Sequence, residues 1–306
     1  MLAAIPTPLV RLSHLFSDRA VYAKCEHLAP SGCFKIRGAL HLLNRLRREG
    51  RTPPLVVPSM GNTALGIAVG ARAFGVPVTG VVPQSIGRDK DEKLHALGVE
   101  LIKVAGDCNE LLSRAGEVAR ERGGYFVHPH LDPLWTDGYQ VIVEEVLREL
   151  PDCRSLVFPV GGGGLLMGLT EYLRRRPTPI RLIGCEAYNF PTYARYDHAR
   201  TRTIADGLVL DDPHPAVRER IAADAVELRL VSDEEICTAM AELYRKQGLM
   251  VEPSSAITVA LVRSHAEKIE GPICVILTGS NIAWEDFAHL IAPEVEKRTP
   301  LSEPEV

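Results

Sequence analysis

The sequence predicts an α/β protein built as two open, mostly parallel α/β lobes. Three observations lead there. Short apolar runs alternate with helix-length amphipathic segments, the series restarts after about residue 150, and 306 residues suffice for two lobes at the usual ~100–200 residues per domain. The first series runs LVVPS (55–59), a helical stretch to Phe74, PVTGVVP (77–83), a helical stretch to Leu97, VELIKVA, a helix over 109–122 and GYFVHP (124–129). A helix over 136–150 follows. The second series is SLVFPV, the helix after four glycines, IRLIGCEA, VELRLV, a helix, LMVEP, a helix and ICVILTG. Asp107 with Glu110, and Ser232 with Glu235, have capping-box spacing and mark two helix starts. The implied division is 1–52 with 136–306 as a large domain and 53–135 as a small one. The closing stretch EVEKRTPLSEPEV, polar and with two prolines, reads as a frayed tail.

Lysine plus arginine is 35 and aspartate plus glutamate 39, a formal charge of −4 with no like-charge block, which argues against a nucleic-acid partner. Apolar residues at 46% and charged residues at 24% are ordinary for a soluble globular chain. The seven cysteines (Cys25, Cys33, Cys108, Cys153, Cys185, Cys237, Cys274) show no CxxC spacing and lie mostly in apolar runs. They read as reduced thiols of a cytoplasmic protein. The opening MLAAIPTPLVRL lacks a basic segment followed by a long apolar run, and no stretch reaches the ~18 apolar residues of a membrane span. Neither export nor membrane attachment is expected. The ten histidines show no HExxH or other ligand spacing, so no metal site is expected.

Four segments could carry chemistry. Gly161-Gly162-Gly163-Gly164 follows an apolar strand and opens an apolar helix, where backbone N–H groups and the helix dipole suit a phosphate. A structural turn, a nucleotide fold and another phosphorylated cofactor all fit that loop. The dinucleotide pattern GxGxxG fails at Leu166 and Met167, although Glu186 lies near the spacing of a ribose-binding acid. In Ser31-Gly32-Cys33-Phe34-Lys35-Ile36-Arg37-Gly38-Ala39, a lysine beside an aromatic ring sits where a loop enters an apolar helix. It reads as a solvated charge or, with its pKa lowered in a partly apolar site, as a Schiff-base amine. Ser59-Met60-Gly61-Asn62-Thr63 is an N-cap turn or a carboxylate-binding loop, and Thr278-Gly279-Ser280-Asn281 is readable as a plain turn. All four fall at the carboxyl ends of expected strands, where open α/β sheets bind ligands.

As an ordered set, FKIRGA, SMGNT, VPVGGGG and LTGSN resemble the fold type II pyridoxal-phosphate enzymes, nearest in motifs to serine/threonine dehydratases and serine racemase. The resemblance runs from TPLVRL through HPHLDP and TIADGLVL to MVEPSSAITVAL. It implies pyridoxal 5'-phosphate as cofactor, a small amino-acid substrate, a homodimer, a cofactor-binding large domain and a mobile small domain. Lys35 would be the Schiff-base lysine, with Phe34 against the cofactor ring. Asn62 would meet the phenolic oxygen, Gly161 to Gly164 with Leu165 the phosphate, and Thr278, with Ser280 as its backup, the ring nitrogen. Ser59, Met60, Gly61, Asn62 and Thr63 would hold the substrate carboxylate. Lys35, freed by the substrate amine, would remove the α-proton; loss of a β-substituent and hydrolysis would then give a keto acid and ammonia.

Several residues depart from the pattern. Met60 stands where racemases carry a second acid/base serine, which argues against two-base racemisation. Thr63 follows Asn62 where dehydratases usually carry histidine; the Asn-Thr pair is closer to β-replacement synthases that use an activated serine and a second nucleophile. Arg202 precedes TIADG where cation-binding relatives have an acid. Cys33 and His130 occupy positions usually Ser or Ala and Asn or Phe; both read as substrate contacts, His130 equally as a hydrogen-bonded loop histidine, with His128 and Tyr139 weaker candidates. Glu252 reads as the anchor of a strand end in preference to a catalytic base, and Asp206 as an organiser of the loop beside the cofactor.

Overall fold

Residues 6–59, 61–195 and 200–296 are described by a computed structural model of the chain. The first half contains β1 (Leu9–Arg11), β2 (Val21–Lys24), α1 (Lys35–Arg48), β3 (Leu55–Pro58), α2 (Asn62–Phe74), β4 (Val78–Pro83), α3 (Arg88–Ala96), β5 (Glu100–Val104), α4 (Cys108–Glu121) and β6 (Tyr125–Phe126). The second half contains α5 (Pro133–Thr136), α6 (Gln140–Glu149), β7 (Ser155–Pro159), α7 (Gly164–Arg175), β8 (Arg181–Ala187), α8 (Pro215–Ala223), β9 (Glu227–Val231), α9 (Asp233–Glu242), α10 (Pro253–His265), β10 (Ile273–Ile276) and α11 (Trp284–Glu296). No helix among the described residues is long and apolar enough to cross a membrane.

The alternating apolar runs become two sheets. One is all parallel, in the order β5-β4-β3-β6; the other runs β1-β2-β10-β7-β8-β9, with only the β1–β2 pair antiparallel. Helices cover both faces of such sheets, so their inner strands are continuously apolar. LVVP of β3 and ICVI of β10 are buried at every residue.

Both capping boxes form, at Asp107 and at Ser232. Three expected segments differ. LMVEP makes no strand: after a π-helical turn at 243–247 the chain runs irregularly into α10, whose first residue, Pro253, cannot donate to a ladder. GYFVHP shortens to the two-residue edge strand β6, since Pro129 likewise ends pairing. The helix over 136–150 is three pieces, α5 capped by Asp132, a 3-10 turn at 137–139, and α6. Met60 and the end of the polar tail after residue 296 lie outside the described residues.

The strand order places the site. β3 has β4 on one side and β6 on the other, and β7 has β8 and β10. Chain direction away from the sheet reverses at such switch points, opening a crevice beyond the carboxyl ends of the strands. The chain leaves β3 into Ser59–Asn62 and β7 into Gly161–Gly164, and both loops line one cavity.

Candidate active site

Lys35 is the first residue of α1, and its position is fixed from three directions. The N–H of Phe34 donates to Thr278 O at 2.9 Å, and Cys33 bridges Gly279, so the start of α1 is attached to the end of β10. α2 crosses close by at Gly66, where a Cβ would fall 2.6 Å from the Lys35 Cβ. Two residues on, Arg37 enters a buried ion network. It donates to Glu26 at 2.9 and 3.0 Å and to Glu145 at 2.8 and 2.9 Å, while Lys24 Nζ lies 2.5 Å from Glu145 and 2.6 Å from the Thr7 carbonyl. Two cations thus face two carboxylates, with every partner buried. Neutralised networks of this kind tolerate burial, whereas one orphaned charge does not.

The Lys35 amine ends in the cavity, 4.8 Å from the centre of the Phe34 ring and 6.0 Å from that of Tyr139. Burial, partly offset by Cys33 and Glu252, pulls its pKa down from the ordinary 10.5 to about 8. A neutral, nucleophilic amine therefore becomes accessible near physiological pH.

The cavity gathers Phe34, Lys35, Ser59, Gly61, Asn62, Thr63, His130, Gly161 to Gly164, Leu165 and Thr278. Ser59 Oγ accepts from the N–H groups of Gly61 at 2.9 Å and Ala64 at 3.0 Å, so the hydroxyl caps α2. Asn62 Nδ2 donates to Glu252 at 2.8 Å, and its Oδ1 accepts from Asn281 at 3.0 Å. The glycine loop turns into α7 with Gly163 at φ 86°, in the left-handed region that favours glycine.

Some expected residues lie elsewhere. Ser280 is outside the lining and donates to His27 O at 3.1 Å. Cys33 is sealed behind the wall, its thiol pushed up to about 11 by burial, and is outside the lining. His128 is a loop histidine whose Nδ1 accepts from the N–H groups of His130 and Leu131 at 3.3 and 3.2 Å. Tyr139 packs on Phe34 with ring centres 4.8 Å apart. Arg202 is exposed. Glu186 holds a turn, accepting from Tyr193 and Ala194 N–H at 2.9 and 2.8 Å, which leaves the nucleotide reading without its acid.

Glu252 is corrected as well. Its backbone N–H does bond Gly279 O at 3.1 Å, but no strand ends there, and the carboxyl faces the cavity with its pKa raised by burial. Sequence reasoning missed Lys90. Its stem passes over Gly61, where a Cβ would meet Lys90 Cδ at 2.5 Å, and Nζ pairs with Asp206 at 3.2 Å. Burial opposes the charge on Lys90, yet Asp206 and Glu252 outweigh it and raise its pKa.

A buried amine of lowered pKa, a glycine loop at a helix start, and a hydroxyl and an amide in one cavity fit a phosphorylated carbonyl cofactor. The comparisons with known proteins agree. The family described as pyridoxal-phosphate dependent enzyme matches residues 1–279. The L-threonine ammonia-lyase of Geobacter sulfurreducens is 34% identical over 286 residues, covering 88% of this chain and 70% of that protein. The processed form of threonine deaminase isoform 2 from Solanum lycopersicum is similar in structure at TM-score 0.83 and 25% identity, covering 95% of this chain and 84% of that one. Maize serine racemase is similar at TM-score 0.83 and 26% identity, covering 96% and 94%.

Proposed function

The chain belongs to the family of pyridoxal-phosphate dependent enzymes, and from that premise we propose that it is a lyase of the ammonia-lyase type. It removes a β-hydroxyl or activated β-substituent, and then the amine, from a small L-amino acid. The observation that carries this reading is the buried Lys35 amine sharing one cavity with Gly161–Gly164, Thr278 and the Asn62 loop.

In this reading Gly161 to Gly164 and Leu165 hold the phosphate through N–H groups at the start of α7. Phe34 would pack against the ring, Asn62 would serve the phenolic oxygen, and Thr278 would serve the ring nitrogen. Ser280, bonded to His27, is left out. When bound, the cofactor supplies a carbonyl for attachment to an amine and a π-system that spreads the charge left on the α-carbon. Thr278 is a neutral hydroxyl, which does not hold the ring nitrogen protonated as a carboxylate would, and β-chemistry is favoured over transamination. Lys35 would take the substrate's α-proton on Nζ. The N–H groups of the first turn of α2, in the Ser59–Thr63 loop, receive the substrate carboxylate.

The same reading makes 53–135 a small domain that closes over substrate, because the carboxylate loop lies on it. Identical domain positions in free and substrate-analogue-bound crystals would exclude closure. It also places the protein in the cytoplasm, supported by seven free cysteines, and as a homodimer, supported by the exposed Tyr244 and Trp284 rings; sedimentation tests the latter.

The test of function is the visible spectrum of the cofactor-loaded protein during addition of L-serine, L-threonine and O-phosphoserine. A transient change that decays with keto-acid release supports the lyase. The Asn62-Thr63 pair favours a second reading, a β-replacement synthase; a change that persists until a nucleophile is added would select it.

A further inference from the structure

We infer that Cys108, Leu111 and Leu112 of α4, together with Leu208, Val209 and Leu210, form a pocket for the group that the substrate's β-carbon keeps when its hydroxyl leaves. That group is an uncharged alkyl or aryl chain longer than methyl. The inference rests on the proposed function and names its substrate class. All six residues line the cavity that holds the Lys35 amine. None of the roles assigned toward the cofactor or the substrate carboxylate uses them, so they are wall left for the rest of the substrate.

Two contacts from the small-sheet side fix where this wall runs. Lys90, whose stem lies over Gly61, pairs with Asp206 at 3.2 Å, and Asn109 Nδ2 donates to Asp212 at 2.6 Å. Leu208 to Leu210 lie between those two anchors, and a Cβ on Gly161 would meet Leu208 Cα at 2.8 Å. The apolar run thus adjoins both the glycine loop and the carboxylate loop, between which the substrate must sit. On α4 the i, i+3, i+4 spacing of Cys108, Leu111 and Leu112 puts them on one face, about 6 Å along the axis. A methyl group is only about 4 Å across, so a wall of this length suits a longer chain. Packing of the fold does not account for it: Leu112, Val209 and Leu210 belong to none of the apolar cores formed by the described residues.

The polar groups beside the wall have partners of their own. Lys90 has Asp206, Glu252 accepts from Asn62 at 2.8 Å, Ser254 Oγ accepts from the Gly207 N–H at 3.1 Å, and His130 Nδ1 lies 3.1 Å from His214 Nε2. Among the described residues lining the cavity there is no arginine, and Lys35 is the reactive amine. A phosphate or carboxylate carried on the β-carbon would therefore be buried against leucine without a cation to meet it, which is strongly unfavourable. An apolar chain gains about fourfold in affinity for each methylene it buries there.

The test uses the cofactor-loaded full chain and two series of amino acids. L-alanine, L-2-aminobutyrate and L-norvaline have no β-leaving group, and their binding is read from the visible spectrum. Keto-acid release is read for L-serine, L-threonine and L-3-hydroxynorvaline, with O-phosphoserine as the charged comparison. Affinity should rise about fourfold per methylene along the first series. Along the second, kcat/KM should rise in the same order, with O-phosphoserine below serine. Leu210→Ser should cut the norvaline-to-alanine affinity ratio from about 15-fold to under about fivefold. Leu112→Ser, at a half-buried position, should lower the ratio less and serves if Leu210→Ser does not fold. Affinity that is level or falls from alanine to norvaline would overturn the pocket, as would turnover of O-phosphoserine above that of threonine. An undiminished ratio in the folded variants would overturn it too, by placing the chain-length preference elsewhere. Absence of keto acid from every amino acid would remove the lyase reading, and the binding series would still decide the pocket.

Discussion

The two sides of the cavity are held by different kinds of contact. At the corner of α1 and β10, the Phe34–Thr278 main-chain bond and the Lys24, Glu26, Arg37 and Glu145 network fix Lys35, and every charged partner is buried. On the small-sheet side the loops reach across through side chains: Asn62 to Glu252 at 2.8 Å, Lys90 to Asp206 at 3.2 Å and Asn109 to Asp212 at 2.6 Å. Lys90–Asp206 and Asn109–Asp212 have an exposed partner, and such pairs are individually weak and reform easily, while a buried ion network breaks only at a cost of several kcal/mol. Rigidity belongs where the reacting amine must not move, and adjustable contacts belong where substrate must enter and leave.

Removing the fixed amine should have the largest effect. Lys35→Ala should leave a folded protein whose turnover has fallen by ~10³-fold or more; comparable steady-state rates would refute its role. The pH dependence of cofactor uptake sharpens the same point. Attack on a carbonyl needs the neutral amine, whose fraction grows as pH rises through the pKa of about 8 set mainly by burial. The uptake rate by cofactor-free protein should therefore climb through that pH and level off, and an inflection near the ordinary 10.5 would show an exposed lysine.

Next in size is the network beneath it. Glu145→Gln takes one carboxylate from between Lys24 and Arg37, leaving net positive charge among buried groups. A loss of about 3–5 kcal/mol in urea unfolding is expected, and a change under about 1 kcal/mol would show that the network is not rigidly buried. Gly162→Asp should weaken pyridoxal 5'-phosphate binding by about 100-fold through charge repulsion and lost backbone approach. Retained affinity would move the phosphate elsewhere.

On both sides the local signals are legible in the sequence and the partnerships between distant residues are not. Four consecutive glycines, a lysine at a loop-to-helix junction and two capping boxes are local signals, each readable within a few residues. Lys90 stands in RDKDEK, where six charged residues in a row look like a solvated helix face; only the approach of Gly61 and Asp206 buries it. Glu252 reads as a strand anchor because VEP follows an apolar pair, yet Pro253 opens a helix and turns the carboxyl toward the cavity. β2 is hidden by Lys24, a charge in a fully buried strand position whose partner, Glu145, lies far along the chain. His214 has no signal of its own, since its meaning depends on the ring of His130.

The smallest expected effect tests the adjustable side. Lys90→Met keeps the apolar stem over Gly61 and removes the ion pair with Asp206, whose side chain is 67% exposed. An exposed partner limits the pair to about 1 kcal/mol or less, so the KM for the amino acid should rise less than about fivefold while cofactor affinity and unfolding free energy hold. That split is the point of the experiment. If Lys90 only bridges the small-sheet loop to the 206 loop, its loss makes closure over substrate less favourable without disturbing the cofactor corner. A fall in cofactor affinity equal to the rise in KM would mean that both sides of the cavity move as one body, and the contrast between them would fail.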